Sequence, residues 1–255
     1  MSLIGTLPYM LSGEITNFTD AFFETLSGFS TTGATILEDI ESVSKGILLW
    51  RSMSQWIGGM GIIVLTVAIL PILGIGGMQL FVAEAPGISP DKFQPRIKET
   101  AKRLWIIYIG FTGLEMIFLM VGDMTFFDAL NHSLTTMASG GFSTKNSSIA
   151  YYDSAYIDFI IVTFMFLAGT NFTMIYFGLH GRIKKVFQNQ EFRTYGIFCL
   201  VITIFCTLGI WMNGNENLMY SFRYSIFQVV SVITTTGYIT QDYTAWTPLL
   251  TMLFF

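Results

Sequence analysis

Charge is the scarcest property of this chain. Only 12% of its 255 residues are Asp, Glu, Lys or Arg, against 52% apolar. Mean hydropathy is +0.58. An ordinary soluble domain carries about 25% charged residues, so that class is excluded. The net charge of −4 offers no basic surface for nucleic acid. Cysteine is nearly absent. Cys199 and Cys206 sit seven apart in one apolar run, on one helix face, which excludes a local disulfide and suits packing. Met1 to Met10 has no basic start and no apolar run long enough for a cleavable signal.

Long apolar runs take the place of charge. Gly46–Gly74, Leu104–Gly122, Tyr156–His180 and Thr194–Asn213 each reach the roughly 20 residues a helix needs to cross a bilayer. Ser2–Leu11 reads as the end of a helix, and Trp246–Phe255 as one that stops partway. Both termini are therefore expected to be breaks in a longer protein. Nine of the 13 Lys and Arg lie in two segments. Lys92, Arg96, Lys98, Lys102 and Arg103 lie in Phe81–Arg103. Arg182, Lys184, Lys185 and Arg193 lie in Gly181–Arg193. Both segments are expected to be cytoplasmic.

Three stretches between the spans are half apolar and too short to cross: Phe18–Thr32, Thr125–Ser139 and Phe222–Thr236. Each leads into a glycine string. The strings are Thr31-Thr32-Gly33-Ala34-Thr35, Ser139-Gly140-Gly141-Phe142-Ser143 and Thr235-Thr236-Gly237-Tyr238-Ile239. Aligned on Gly33, Gly141 and Gly237, the copies keep a small hydroxyl residue six before (Ser27, Thr135, Ser231) and two before (Thr31, Ser139, Thr235). Nine before stand Glu24, His132 and Gln228. Alone, a Thr-Thr-Gly reads as helix packing, since small residues let membrane helices approach. Three copies in register, each after a short re-entrant segment, read instead as pore helices with filter loops. Irregular backbone at membrane depth is tolerated only where protein buries it or it lines a water-filled cavity.

The expected unit is helix, pore helix, filter loop, helix. All copies enter from outside, so the repeats are parallel and surround an axis along the membrane normal; inverted repeats would indicate a coupled secondary transporter of another fold. The units are 1–80, 81–180 and 181–255. A filter must replace an ion's hydration shell with oxygens, and backbone carbonyls do so without trapping the ion. Gly33, Gly141 and Gly237 supply backbone angles that a Cβ disfavours. The expected ion-lining set is Thr31, Thr32, Gly33 and Ala34; Ser139, Gly140, Gly141 and Phe142; Thr235, Thr236, Gly237 and Tyr238. Phe142 and Tyr238 are placed to wedge their loops; Ala34 leaves that role empty.

Other residues draw simpler readings. Ile57-Gly58-Gly59-Met60-Gly61 aligns with Leu167-Ala168-Gly169-Thr170-Asn171; Gly58-Gly59-Met60-Gly61 reads as helix contact or as a border of the cavity below the filter, and Gly74-Ile75-Gly76-Gly77 as a turn. Glu115, mid-span, is expected to be protonated or paired at a helix contact. His132 braces its loop; an enzyme using His132 with Glu115 lacks a nucleophile or second ligand nearby. Asn171 is expected to bond a neighbouring helix, and Asp158 to be solvated. His180, Arg182, Lys184 and Lys185 form an inner rim suited to lipid phosphates. Twelve acids fall on the outer side: Glu14, Asp20, Glu24, Glu38, Asp39, Glu41, Asp123, Asp128, Asp153, Asp158, Glu216 and Asp242. They read either as a cation-focusing mouth or as loops that merely lack basic residues.

Over nearly its whole length the chain resembles the TrkH/TrkG/KtrB/HKT superfamily of potassium transporters, bacterial TrkH-like proteins above all. The resemblance rests on the three strings, on Ser54-Gln55-Trp56-Ile57-Gly58-Gly59-Met60-Gly61, on Pro95-Arg96-Ile97-Lys98-Glu99-Thr100-Ala101 and on Ala168-Gly169-Thr170-Asn171-Phe172. It implies an all-α integral membrane fold with four such repeats around one potassium pathway, of which three loops are expected in this chain and the fourth to be missing. It implies a protein of the bacterial cytoplasmic membrane that is no enzyme and has no covalent cofactor. Potassium is then the substrate, and Gly33 leans toward potassium over sodium. It also implies a homodimer with a cytoplasmic nucleotide-sensing RCK-type subunit. A non-conducting truncated paralogue is the alternative within the family.

Overall fold

The computed structural model describes residues 2–72, 94–213, 217–241, 246 and 248–252. The expected turn at Gly74–Gly77, Lys92, Glu216, Asp242, Thr247 and the last three residues of the run 246–255 lie outside the described residues, as do the side chains of Arg96 and Lys98. All regular structure among the described residues is helical. The chain opens with two short helices, α1 (Ser2–Gly5) and α2 (Leu7–Ser12). Then come α3 (Phe18–Phe29), α4 (Lys45–Ile72), α5 (Gln94–Val121) and α6 (Phe126–Met137). After a 3₁₀ turn at Ser148–Tyr152 follow α7 (Ala155–Ala168), α8 (Phe172–Leu179), α9 (Ile183–Gln188), α10 (Gln190–Asn213), α11 (Leu218–Ile233) and α12 (Pro248–Thr251).

Among the described residues two helices are long and apolar enough to cross a membrane, Ala101–Val121 in α5 and Gln190–Met212 in α10. Their large apolar side chains, such as Ile106, Val121, Ile197 and Leu200, are exposed along the outer faces. That arrangement suits contact with lipid. The expected single span Tyr156–His180 is instead two helices, α7 and α8, bent by 107°. Gly169 ends α7, and Asn171 caps α8 by accepting the Thr173 N–H at 3.0 Å. A Cβ on Gly169 would press on Thr234 Cγ2 at 2.8 Å and the Tyr195 hydroxyl at 2.9 Å, so a larger residue at the bend would have to displace both side chains. Asn171 thus serves its own helix rather than a neighbouring one.

The three short helices are α3, α6 and α11. Asn17 caps α3 through the Thr19 N–H, and Thr125 caps α6 through the Asp128 N–H. The third, α11, begins four residues before the expected start at Phe222. Each lies against long helices: α3 on α4, α6 on α4 and α5, α11 on α7 and α10. Lipid tails are as apolar as Leu, so packing and internal hydrogen bonds hold such helices together. The largest buried cluster joins Leu119, Ile161 and Met165 to Phe227, Val230 and Tyr238. Another sets Met60, Tyr108, Met137 and Phe164 against Trp56. Cys199 and Cys206 are free, buried thiols.

Candidate functional site

The three glycine strings emerge from the C-termini of α3, α6 and α11, and all three helices end in the same way. The residue two before each glycine is left-handed: Thr31 at φ 56°, Ser139 at 52°, Thr235 at 58°. Its N–H bonds the carbonyl three back, and the next N–H bonds the carbonyl five back. The second bond is Thr32 to Ser27 at 3.0 Å, Gly140 to Thr135 at 2.9 Å and Thr236 to Ser231 at 2.8 Å. That pair of bonds is the Schellman motif, whose left-handed residue is usually glycine. A hydroxyl residue there bears a cost of roughly 1–2 kcal/mol. The glycine two further on is again left-handed: Gly33 at 79°, Gly141 at 74°, Gly237 at 83°.

The strings, called loops 1, 2 and 3 in chain order, also contact one another by a repeated rule. A Cβ on Gly33 would collide with the Gly140 carbonyl oxygen, and a Cβ on Gly141 with the Thr236 carbonyl oxygen. Each glycine therefore faces the carbonyl just before the glycine of the following loop. The supporting helices obey a parallel rule. A Cβ on Gly59 would lie 3.0 Å from Ala138 Cα, as one on Gly169 would press on Thr234. Ala138 and Thr234 each stand three before their loop's glycine. The expected helix-contact role of the Gly58–Gly61 string is what the geometry of Gly58 and Gly59 displays. Carbonyl-bearing helix ends carry about half a negative charge, which favours a nearby cation.

Behind the loops the bracing differs from copy to copy. Ser27 Oγ donates to the Ala34 carbonyl at 2.6 Å, and Ser231 Oγ to the Tyr238 carbonyl at 2.8 Å. Thr135, in the same place, bonds the Tyr238 hydroxyl and its own helix instead. Glu24 accepts from Thr35 Oγ1 at 2.9 Å, from the Ile36 N–H at 3.1 Å and from Arg51 Nε at 2.8 Å. The pair is buried. His132 stands where Glu24 does and meets Ser143 where Glu24 meets Thr35. Its Nε2 is 2.9 Å from Ser143 Oγ, and its Nδ1 is 2.8 Å from the Asp128 carbonyl. That carbonyl requires Nδ1–H, so Nε2 accepts from the serine. Burial pushes the imidazole down to about 4, and the ring is neutral. Both nitrogens are thereby occupied, which leaves none for chemistry.

Loop 2 has a further support. Gln55, from α4, donates Nε2–H to the Gly140 carbonyl at 2.7 Å, and its Oε1 accepts the Phe142 N–H at 3.2 Å. The aromatic wedges point backward along the chain. Phe142 lies over the Arg51 guanidinium, and Tyr238 reaches Thr135, Thr136 and the His132 carbonyl. Sequence spacing did not single out Gln55, Arg51 or Arg223. The available signal was an arginine inside an apolar stretch, which demands a buried partner.

Arg223 corrects the expectation for Asp158. That carboxylate is buried, with Arg223 Nε on its Oδ2 at 2.7 Å. Glu24 likewise belongs to an interior pair rather than to an acidic mouth. Asp128, at the start of α6, is buried. Burial raises its carboxyl, but hydrogen bonds from Thr144 and Thr125, with Lys145 nearby, hold it below the ordinary carboxylate value. Outer loops are stitched across repeats. Asn146 takes the Ile40 N–H at 2.7 Å and gives to Asp39 at 2.9 Å, and the Ala150 N–H bonds the Ile239 carbonyl at 3.1 Å. Glu115 is fully buried on α5, with no hydrogen-bond partner for either oxygen among the described residues.

A family model described as cation transport protein, TrkH, matches residues 1–255. The Trk system potassium uptake protein TrkH of Salmonella typhimurium is 46% identical over 95% of this chain and 51% of its own length. TrkG of Escherichia coli K12 is 37% identical over 96% of this chain and 51% of its own length. The crystal structure of the potassium transporter TrkH from Vibrio parahaemolyticus superimposes with a TM-score of 0.88, at 37% identity, over 99% of this chain and 52% of that one. The chain spans about half the length of the curated relatives it matches. With the same helix end, the same glycine and the same neighbour contact recurring along a chain matched from end to end, the conclusion is that this chain belongs to the TrkH family of cation transport proteins.

Proposed function

We propose that this chain forms part of a pore for selective potassium uptake across the bacterial cytoplasmic membrane. One observation carries the reading: Gly33 faces the Gly140 carbonyl as Gly141 faces the Thr236 carbonyl. A contact that repeats from loop to loop in one direction is what loops arranged around a common axis make. Inverted repeats do not produce it. The ion-lining set is Thr31 to Ala34, Ser139 to Phe142 and Thr235 to Tyr238. The repeating units are 1–80, 81–180 and 181–255. Passage leaves the ion chemically unchanged, so potassium is substrate and no covalent cofactor takes part.

The chemistry follows from the loop geometry. Residues of positive, negative and positive φ alternate through Thr31, Thr32 and Gly33, and likewise in loops 2 and 3. Such alternation turns successive peptide planes so that their oxygens are available to one channel rather than to a ladder. Rings of carbonyls replace water around the ion, and the braces behind them keep the oxygens from following a smaller one. The relatives named as potassium uptake proteins are transporters, which supports a non-enzymatic role. The family resemblance supports a homodimer with an RCK-type cytoplasmic subunit, and the inner basic residues support contact with lipid phosphates.

Growth of a potassium-uptake-deficient strain at limiting potassium tests the reading. The complete gene should restore growth, and Gly141→Ser or Gly237→Ser should abolish it or admit sodium. Rescue with unchanged ion preference in both variants would sink the assignment.

A further inference from the structure

Three carbonyls precede the three loop glycines, those of Thr32, Gly140 and Thr236. They hold equivalent places but differ chemically. The Gly140 carbonyl accepts the Gln55 amide at 2.7 Å. Among the described residues no side chain donates to the carbonyl of Thr32 or Thr236. Thr236 is seated against Gly141 just as Gly140 is seated against Gly33, so the difference lies in the donor and not in the loop.

Gln55 is placed for this by the helix that follows loop 1. Its side chain is fully buried and grips loop 2 at two points, the Gly140 carbonyl and the Phe142 N–H. Its Nε2 is also 4.0 Å from where a Cβ on Gly33 would stand. One amide thus lies between two loops and is bonded to the later one. The next repeat has no counterpart. Gly59 and Gly169 make equivalent contacts, and four residues before them stand Gln55 and Met165. Methionine has no hydrogen to donate.

We propose that Gln55 is a specificity-determining residue, acting by tethering the Gly140 carbonyl. The inference rests on the filter reading of the loops. A carbonyl already accepting an N–H offers less electron density to a cation, and its direction is fixed from behind. Sodium, the smaller ion, needs oxygens that close in further than potassium does. A tethered oxygen resists that movement, and its resistance falls on sodium more than on potassium. Gln55 therefore biases one oxygen of the ring against the smaller ion.

The test uses the complete gene product in cells lacking other potassium uptake, with competition of sodium against potassium transport as the readout. Gln55→Met gives the first repeat the residue the second carries. Gln55→Leu keeps much of the side-chain bulk and its branching but removes the donor. Both should lower the potassium-to-sodium preference by about three- to tenfold, the net worth of one hydrogen bond. Gly141→Ser serves as the reference. If Gly141→Ser changes the preference and both Gln55 variants keep it, the tether proposal falls while the filter stands. An unchanged preference in Gly141→Ser brings down the filter reading itself. Loss of both Gln55 variants from the membrane also overturns the proposal, because the amide is then a folding brace alone.

Discussion

The ring of Phe142 lies 4.1 Å from the guanidinium carbon of Arg51, so loop 2 closes over the ion pair that holds loop 1. Arg51 joins three parts of the structure at once: the carboxylate of Glu24, the hydroxyl of Thr35 and the face of Phe142. Removing one charge leaves the other buried and alone. Glu24→Gln or Arg51→Met should each lower stability by about 3–5 kcal/mol, and the double change Glu24→Gln with Arg51→Met by less than the sum. Thermal unfolding of the detergent-purified protein measures both.

Gly33 and Gly141 should not tolerate alanine. Both face neighbouring backbone oxygens, which cannot move aside as a flexible side chain can. Gly33→Ala and Gly141→Ala should each abolish uptake by the complete gene product. Uptake unchanged in either variant would contradict the loop contacts.

Thr31 and Thr235 hold left-handed angles that a β-branched residue disfavours. Thr31→Gly and Thr235→Gly should raise stability by up to about 1 kcal/mol, since glycine suits the position but loosens the unfolded chain. If the hydroxyls serve the ion, the same variants should transport potassium less well. Higher thermal stability together with lower uptake would mark the strain as retained for function.

His132 ties loop 2 to acid. Its folded pKa of about 4 lies below the ordinary imidazole value of about 6.5, so the unfolded chain binds the extra proton first. The contribution is fully present above about pH 6.5 and is lost as pH falls toward 4, by roughly 3 kcal/mol. Asp128 and Lys145 are the charged groups that bear on the ring. Stability of His132→Asn should lack that slope, as pH-dependent thermal unfolding reveals.

The short helices and their strings were legible because their signals are local. A hydroxyl six residues before a glycine and another two before it are spaced to one helix end, and the Schellman bonds use that spacing. Partners that lie in different repeats left no such mark. Gln55 and Gly140 are 85 residues apart, and Arg223 and Asp158 are 65 apart. No period connects either pair. Asp158 looked solvated because its position near a helix end says nothing of the arginine folded onto it. The bend after Ala168 was hidden for another reason. An apolar run long enough to cross a membrane reads as one helix, whereas the cap supplied by Asn171 acts within a single turn. The place of Glu24 beside His132 in the alignment was visible; that both would meet the residue two past the glycine emerged only in three dimensions.

The contacts between loops all run one way along the chain. Gly33 is covered by the loop that carries Gly140, and Gly141 by the loop that carries Thr236. The wedges Phe142 and Tyr238 likewise dock on the repeat made before their own. A ribosome releases these parts in the same order. For a chain inserted in the order it is made, the loop of Gly33 and the loop of Gly141 each gain their cover only when the next loop is in place.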